Sequence, residues 1–98
     1  MDIITNKNGT ALEVSLIGRL DTTTAPQLEA KLKDELDGVT ELYFLFDKLE
    51  YISSAGLRVL LSAQKTMNKH GKMVVRGACE EIREVFEITG FCDILTIE

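Results

Sequence analysis

The residues that decide the fold run from Leu42-Tyr43-Phe44-Leu45-Phe46-Asp47, through Leu49-Glu50-Tyr51-Ile52, to Ser53-Ser54-Ala55-Gly56-Leu57-Arg58-Val59-Leu60-Leu61. Leu42 to Phe46 is apolar on both faces, which suits a central strand covered from two sides and ending at Asp47. After the serines the apolar period changes. Leu57, Leu60, Leu61 and Met67 fall on one helical stripe, with Gly71 after His70 as the stop. Lys72 to Arg76, centred on Met73-Val74-Val75, then reads as another buried strand. Strand, helix and strand in such short compass imply parallel pairing through a right-handed crossover.

The same pattern extends in both directions. Toward the amino terminus, Leu12, Val14 and Leu16 alternate with Glu13 and Ser15, and Ile3 to Thr5 is a second short β-prone run. Lys7-Asn8-Gly9-Thr10 between them carries the Asn-Gly pair that favours a tight hairpin. Thr22-Thr23-Thr24-Ala25-Pro26-Gln27 reads as a helix start, with Thr24 as N-cap, Pro26 in the first turn and Gln27 closing a capping box. Ala25, Leu28, Leu32 and Leu36 supply its apolar face and Gly38 its stop. Toward the carboxyl terminus, Glu80 and Glu81 sit where acidic residues favour a helix start. Ile82, Val85 and Phe86 form a stripe, Gly90 ends it, and Ile94-Leu95-Thr96-Ile97 is a last strand. The predicted order is β-β-α-β-α-β-α-β: an α/β fold with a mixed, mostly parallel sheet, an N-terminal hairpin and three helices, in one domain spanning residues 1–98.

Composition narrows the function. The 98 residues are 45% apolar and 28% charged, as in a soluble globule with room for one core. A formal charge of −5 argues against nucleic acid as a partner. The apolar runs are far shorter than the roughly 20 residues of a membrane span, and Met1-Asp2 followed by Thr5-Asn6-Lys7-Asn8-Gly9 lacks a signal-peptide pattern, so a cytoplasmic protein without membrane insertion is expected. Cys79 and Cys92 have no C-x-x-C spacing and read as buried, reduced thiols. With His70 the only histidine, no metal site and no other cofactor is expected.

Functional residues on parallel sheets lie past the carboxyl ends of strands. Two such stretches qualify: Asp21-Thr22-Thr23-Thr24, and the serine segment from Ser53 to Arg58. Either Ser53 or Ser54 can cap the second helix, leaving the other hydroxyl presented. Gly56 either keeps the first turn slim for an approaching molecule or serves close packing. Arg58, four residues beyond Ser54, lies on the same helix face. His70 sits sixteen positions along that helix, about 24 Å away at the helical rise, and cannot activate Ser54 as a nucleophile. No catalytic residue is therefore assigned. A serine with no base of its own can still accept a phosphoryl group from a kinase, which supplies base and metal.

Gly18-Arg19-Leu20-Asp21, the strand running to Asp47 and the segment from Leu49 to Leu61 resemble the STAS domain, named for sulfate transporters and anti-sigma factor antagonists. The likeness covers essentially the whole chain and is nearest to the free-standing bacterial antagonist, or anti-anti-sigma factor. The resemblance implies a non-enzymatic partner-switching protein in transcription regulation. Such a protein binds an anti-sigma factor that is also a serine protein kinase, and so frees a sigma factor. Phosphorylation turns it off and a PP2C-type phosphatase restores it. By position the acceptor is Ser54, with Ser53 its rival, and the partner surface comprises Asp21, Thr22, Thr23, Thr24, Ser53, Ser54, Ala55, Gly56 and Arg58. Two positions depart from the family pattern: Ser53 stands where many members have Asp, and Leu45 where many have an acidic residue. Many relatives also carry a closing helix after the last strand. The alternative is a scaffold subunit of a larger regulatory or transport complex in which the serines only cap the helix. A small enzyme or nucleotide-binding module ranks last, for want of a base, metal ligands and a glycine-rich loop.

Overall fold

In a computed structural model describing Met1–Glu98, the alternating run around Leu12–Leu16 becomes strand β2 (Ala11–Leu20), hairpinned to β1 (Asp2–Asn8). Asn8 pairs with Ala11, so the loop is Gly9-Thr10 rather than Asn8-Gly9. Gly9 takes φ 65°, and glycine at the first loop position is what a two-residue hairpin of this kind demands. The chain continues through α1 (Ala25–Glu35), β3 (Glu41–Ile52), α2 (Ser54–His70), β4 (Lys72–Arg76) and α3 (Glu80–Thr89). A single 3₁₀ turn, Phe91–Asp93, precedes the short β5 (Thr96–Ile97). The predicted last strand is thus confined to its final half, because Ile94 and Leu95 complete the turn that tucks Leu95 into the core.

The five strands lie in sequence order. β1 is antiparallel to β2, and every other pair is parallel. This is the expected mixed α/β architecture. Three right-handed crossovers advancing in one direction put α1, α2 and α3 on the same face of the sheet. Burial agrees in β2 and β3: Leu12, Val14, Leu16, Leu42, Phe44 and Phe46 are buried against the helices, with Met73 and Val75 of β4, while Glu13, Ser15, Tyr43 and Leu45 are only half-covered; Val74, beside Tyr43, is the buried exception on the other face. The expectation that β3 is covered from two sides is therefore corrected. Over the helix-free face, Tyr43 is flanked by Lys72 at 5.6 Å and Arg76 at 4.7 Å. These cations are anchored by ion pairs to Glu41 (3.7 Å) and Glu98 (2.9 Å).

Strand β3 does not end at Asp47 but continues to Ile52. Its pairing with β2 slips twice. Ser15 and Ile17 face Leu45 and Lys48, then Gly18 and Arg19 face Leu49 and Tyr51, so β3 gains one residue at each step. Each extra residue is a β-bulge, which re-aims the side chains that follow. The buried positions accordingly run Leu42, Phe44, Phe46, then Leu49, then Ile52. The polar pairs Asp47-Lys48 and Glu50-Tyr51 break a strict alternation, which is why the sequence pattern reads as a strand ending early.

The cysteines also differ from expectation. Cys79 is half-buried, its thiol 3.9 Å from the Leu49 carbonyl, and Cys92 is exposed. In the turn containing Cys92, Phe91 and Leu95 face the core and take the apolar role.

Candidate functional site

The carboxyl ends of β2 and β3 meet where the sequence places its two polar stretches. Leu20 pairs with Ile52 at the last rung. Beyond it, the Ser53 N–H donates to the Leu20 carbonyl at 2.9 Å. This bond holds the turn leading to α1 beside the turn leading to α2. One rung earlier, Arg19 lies opposite Tyr51 with its guanidinium 4.2 Å from the ring centroid. Neither Arg19 nor Tyr51 is in the surface inferred from sequence. The usable signal was their cross-strand pairing, which the bulges hide.

Asp21 organises the first turn. One of its carboxylate oxygens accepts from the backbone N–H groups of Thr23 and Thr24, both at 3.0 Å. The Thr24 hydroxyl accepts from the Asp21 N–H at 2.8 Å and donates to the Arg19 carbonyl at 2.8 Å. The predicted capping box is therefore not formed. Thr24 has helical dihedrals (φ −94°, ψ −21°) and its side chain makes no cap bond to α1, because its hydroxyl is already engaged with the preceding chain. The Thr24 N–H holds the Asp21 carboxyl below the usual carboxylate range; desolvation opposes it, and the Thr23 N–H, the Thr24 hydroxyl and the Arg19 charge add to the lowering.

At α2 the choice between the serines has a geometric answer. Ser53 is extended (φ −97°, ψ 175°), and its hydroxyl accepts from the Gly56 N–H at 3.3 Å. It is the N-cap. Ser54 is the first helical residue; it is exposed, and its hydroxyl takes part in no hydrogen bond within the chain. Gly56 is buried, and a Cβ there would stand 2.7 Å from Leu20 Cγ and 3.0 Å from Ile52 Cγ1. Close packing, not access, is what this glycine provides. Arg58 is exposed one turn further on and belongs to none of the ion pairs.

Of the nine positions expected on a partner surface, Thr22, Thr23, Ser54 and Arg58 are exposed, and Asp21, Ser53 and Ala55 are half-buried. Thr24 and Gly56 are buried and support the surface from beneath. The two stretches are brought together at one end of the sheet. His70 lies at the opposite end of α2. A concavity of about 820 Å³ lies away from this end, between the later turns of α1 and α2, and includes none of the nine.

This geometry offers a free hydroxyl at a helix amino terminus, held in place by a neighbouring cap and a tight glycine contact. The profile of the STAS domain matches residues 2–98. The chain belongs to the STAS domain family. BtrV of Bordetella bronchiseptica, provisionally named an anti-sigma factor antagonist, is 36% identical over 99 residues, covering 99% of this chain and 85% of the relative. The anti-sigma-B factor antagonist of Staphylococcus aureus is 30% identical, covering 99% and 92% respectively. Among solved structures, the Bacillus protein SpoIIAA superposes in its unphosphorylated form with a TM-score of 0.79 at 18% identity, covering 99% of this chain and 87% of that one. Its phosphorylated form gives 0.78 at 19%, covering 99% and 91%. SpoIIAA thus shares the fold of this STAS domain, and the sequence relatives group the chain with bacterial anti-sigma factor antagonists. No helix is long and apolar enough to cross a membrane.

Proposed function

We propose that residues 1–98 act as one cytoplasmic, non-enzymatic STAS unit that binds an anti-sigma factor with serine kinase activity, releases the sigma factor it held, and is switched off by phosphorylation of Ser54. The observation that carries this reading is the division of labour between the serines: Ser53 is committed to the Gly56 N–H, and Ser54 is exposed and unbonded. In the transfer, Ser54 Oγ attacks the γ-phosphorus of ATP, the bond from that phosphorus to the bridging oxygen breaks, and ADP leaves. The hydroxyl proton passes to a base of the kinase. A PP2C-type phosphatase would reverse the modification by hydrolysis. The phosphate adds about −1.5 to −2 charges at a helix terminus that favours anions. The fold therefore tolerates it, while a partner packed over Ser54 must desolvate it.

The test is incubation with the anti-sigma kinase and ATP, read by intact mass. One phosphate should be added to wild type and to Ser53→Ala, and none to Ser54→Ala. Ser54→Asp should keep its melting temperature and lose kinase binding. Transfer to Ser53 would overturn the assignment of the acceptor. No transfer to any variant would favour an unphosphorylated scaffold subunit.

A further inference from the structure

The pair Arg19–Tyr51 stands at the same end of the sheet as the serines. Tyr51 is among the few large apolar-bodied side chains left substantially exposed, at 41%. It lies two residues before the cap Ser53, and the bulge at Glu50 sets it opposite Arg19. Arg19 is exposed, and its guanidinium rests 4.2 Å from the ring centroid. The guanidinium nitrogens make no hydrogen bond or ion pair within the chain, so its N–H donors are free. None of them meets a carboxylate, in contrast to Arg76, whose Nε donates to Glu98 at 2.9 Å. The backbone of Arg19 is fixed as well, its carbonyl accepting from the Thr24 hydroxyl.

A guanidinium braced over a ring, exposed and with its donors unpaired, is pre-organised for a planar anion. Less side-chain freedom is lost when it binds, and bidentate geometry favours a carboxylate. Tyrosine and arginine are also the residues most often found to dominate protein interfaces. Building on the antagonist reading of this site, we infer that Arg19, braced by Tyr51, receives an Asp or Glu carboxylate of the anti-sigma partner and is a main anchor of that interface. The neighbouring Asp21 feels the Arg19 charge but forms no ion pair with it, so the guanidinium donors stay available. Lys in place of Arg would keep the charge but not the fork.

The experiment measures binding of purified full-length wild type, Arg19→Ala, Arg19→Lys and Tyr51→Ala to the anti-sigma kinase of the source organism by calorimetry, with thermal melts as the folding control. Both alanine variants should bind at least tenfold more weakly and Arg19→Lys several-fold more weakly, all with melting temperatures near wild type. Wild-type affinity in Arg19→Ala or in Tyr51→Ala overturns the anchor. Wild-type affinity in Arg19→Lys overturns carboxylate recognition by the fork. Failure of the wild-type chain itself to bind overturns the antagonist reading, and this inference falls with it.

Discussion

The Ser53 N–H donates to the Leu20 carbonyl at 2.9 Å, while three residues on Gly56 packs against the Leu20 side chain. A single residue of β2 thus seats both the cap and the first turn of α2. The position of the Ser54 hydroxyl is set by the sheet, and local substitutions around this seat have distinct expected effects.

Ser53→Ala removes the oxygen that accepts from the Gly56 N–H. Loss of an N-cap costs about 1 kcal/mol, or a fall of about 4–8 °C in melting temperature for a chain of this size. Ser53→Asp should recover most or all of it, since aspartate caps as well as serine and its charge suits the helix terminus. Thermal melts of the two variants decide the matter; equal melting of Ser53→Ala and wild type would mean the cap contributes nothing.

Gly56→Ala sets two effects against each other. Alanine is favoured over glycine within a helix by about 1 kcal/mol, but its Cβ would lie 2.7 Å from Leu20 Cγ. Overpacking of this kind costs about 1–3 kcal/mol, and the obstructing atom belongs to a fully buried side chain. Net destabilisation is expected, by about 1 kcal/mol, in urea unfolding. A more stable variant would show that Leu20 yields freely.

Gly77 combines φ 75° with a Cβ position that would overlap an Asp47 carboxylate oxygen. Gly77→Ala should therefore destabilise by about 1–3 kcal/mol, from backbone strain alone at the least. Adding Asp47→Ala removes the carboxylate clash but neither the backbone strain nor the close approach to the Asp47 nitrogen at 3.2 Å, so the double variant should be more stable than the sum of the single losses requires. Additive losses in chemical denaturation would place the whole cost in the backbone.

Asp21 predicts an acid dependence. Its carboxyl is held below its ordinary value, chiefly by the Thr24 N–H, so its folded pKa lies under the unfolded one. The stabilisation is complete above about pH 4, the unfolded value, and is lost as pH falls through the lower folded value. Asp21→Asn keeps an acceptor oxygen but cannot titrate. Denaturation midpoints of wild type should therefore fall more steeply than those of Asp21→Asn below about pH 4. Parallel curves would show that the turn does not discriminate the charged form.

Much of this fold is legible in the sequence. The stripes Ala25-Leu28-Leu32-Leu36, Leu57-Leu60-Leu61-Met67 and Ile82-Val85-Phe86 mark three helices; eight of these eleven residues are buried, and Leu36, Leu61 and Val85 are half-buried. What the sequence conceals are features that depend on register between segments. The second half of β3 is hidden because two bulges break its alternation, and with it goes the pairing of Arg19 with Tyr51. The bare face of the sheet is concealed because Leu42 to Phe46 is apolar throughout, although Tyr43 and Leu45 are only half-covered. In the candidate site, the serine segment stands out by residue type. Which serine caps does not, since both have the same chemistry and only the extended backbone of Ser53 and its bond from the Gly56 N–H distinguish them.

The bulges of β3 have a consequence for how such a chain can change. Four steps along β2, from Ser15 to Arg19, are matched by six along β3, from Leu45 to Tyr51. The segment therefore counts residues: losing one between Asp47 and Glu50 would erase a bulge, swing Leu49 or Ile52 out of the core, and present the wrong side of the following turn. Substitution at these exposed positions leaves that count untouched. Variation in this stretch should accordingly be free in residue identity at Lys48 and Glu50 and closed to insertions and deletions, the reverse of what exposed polar positions ordinarily tolerate.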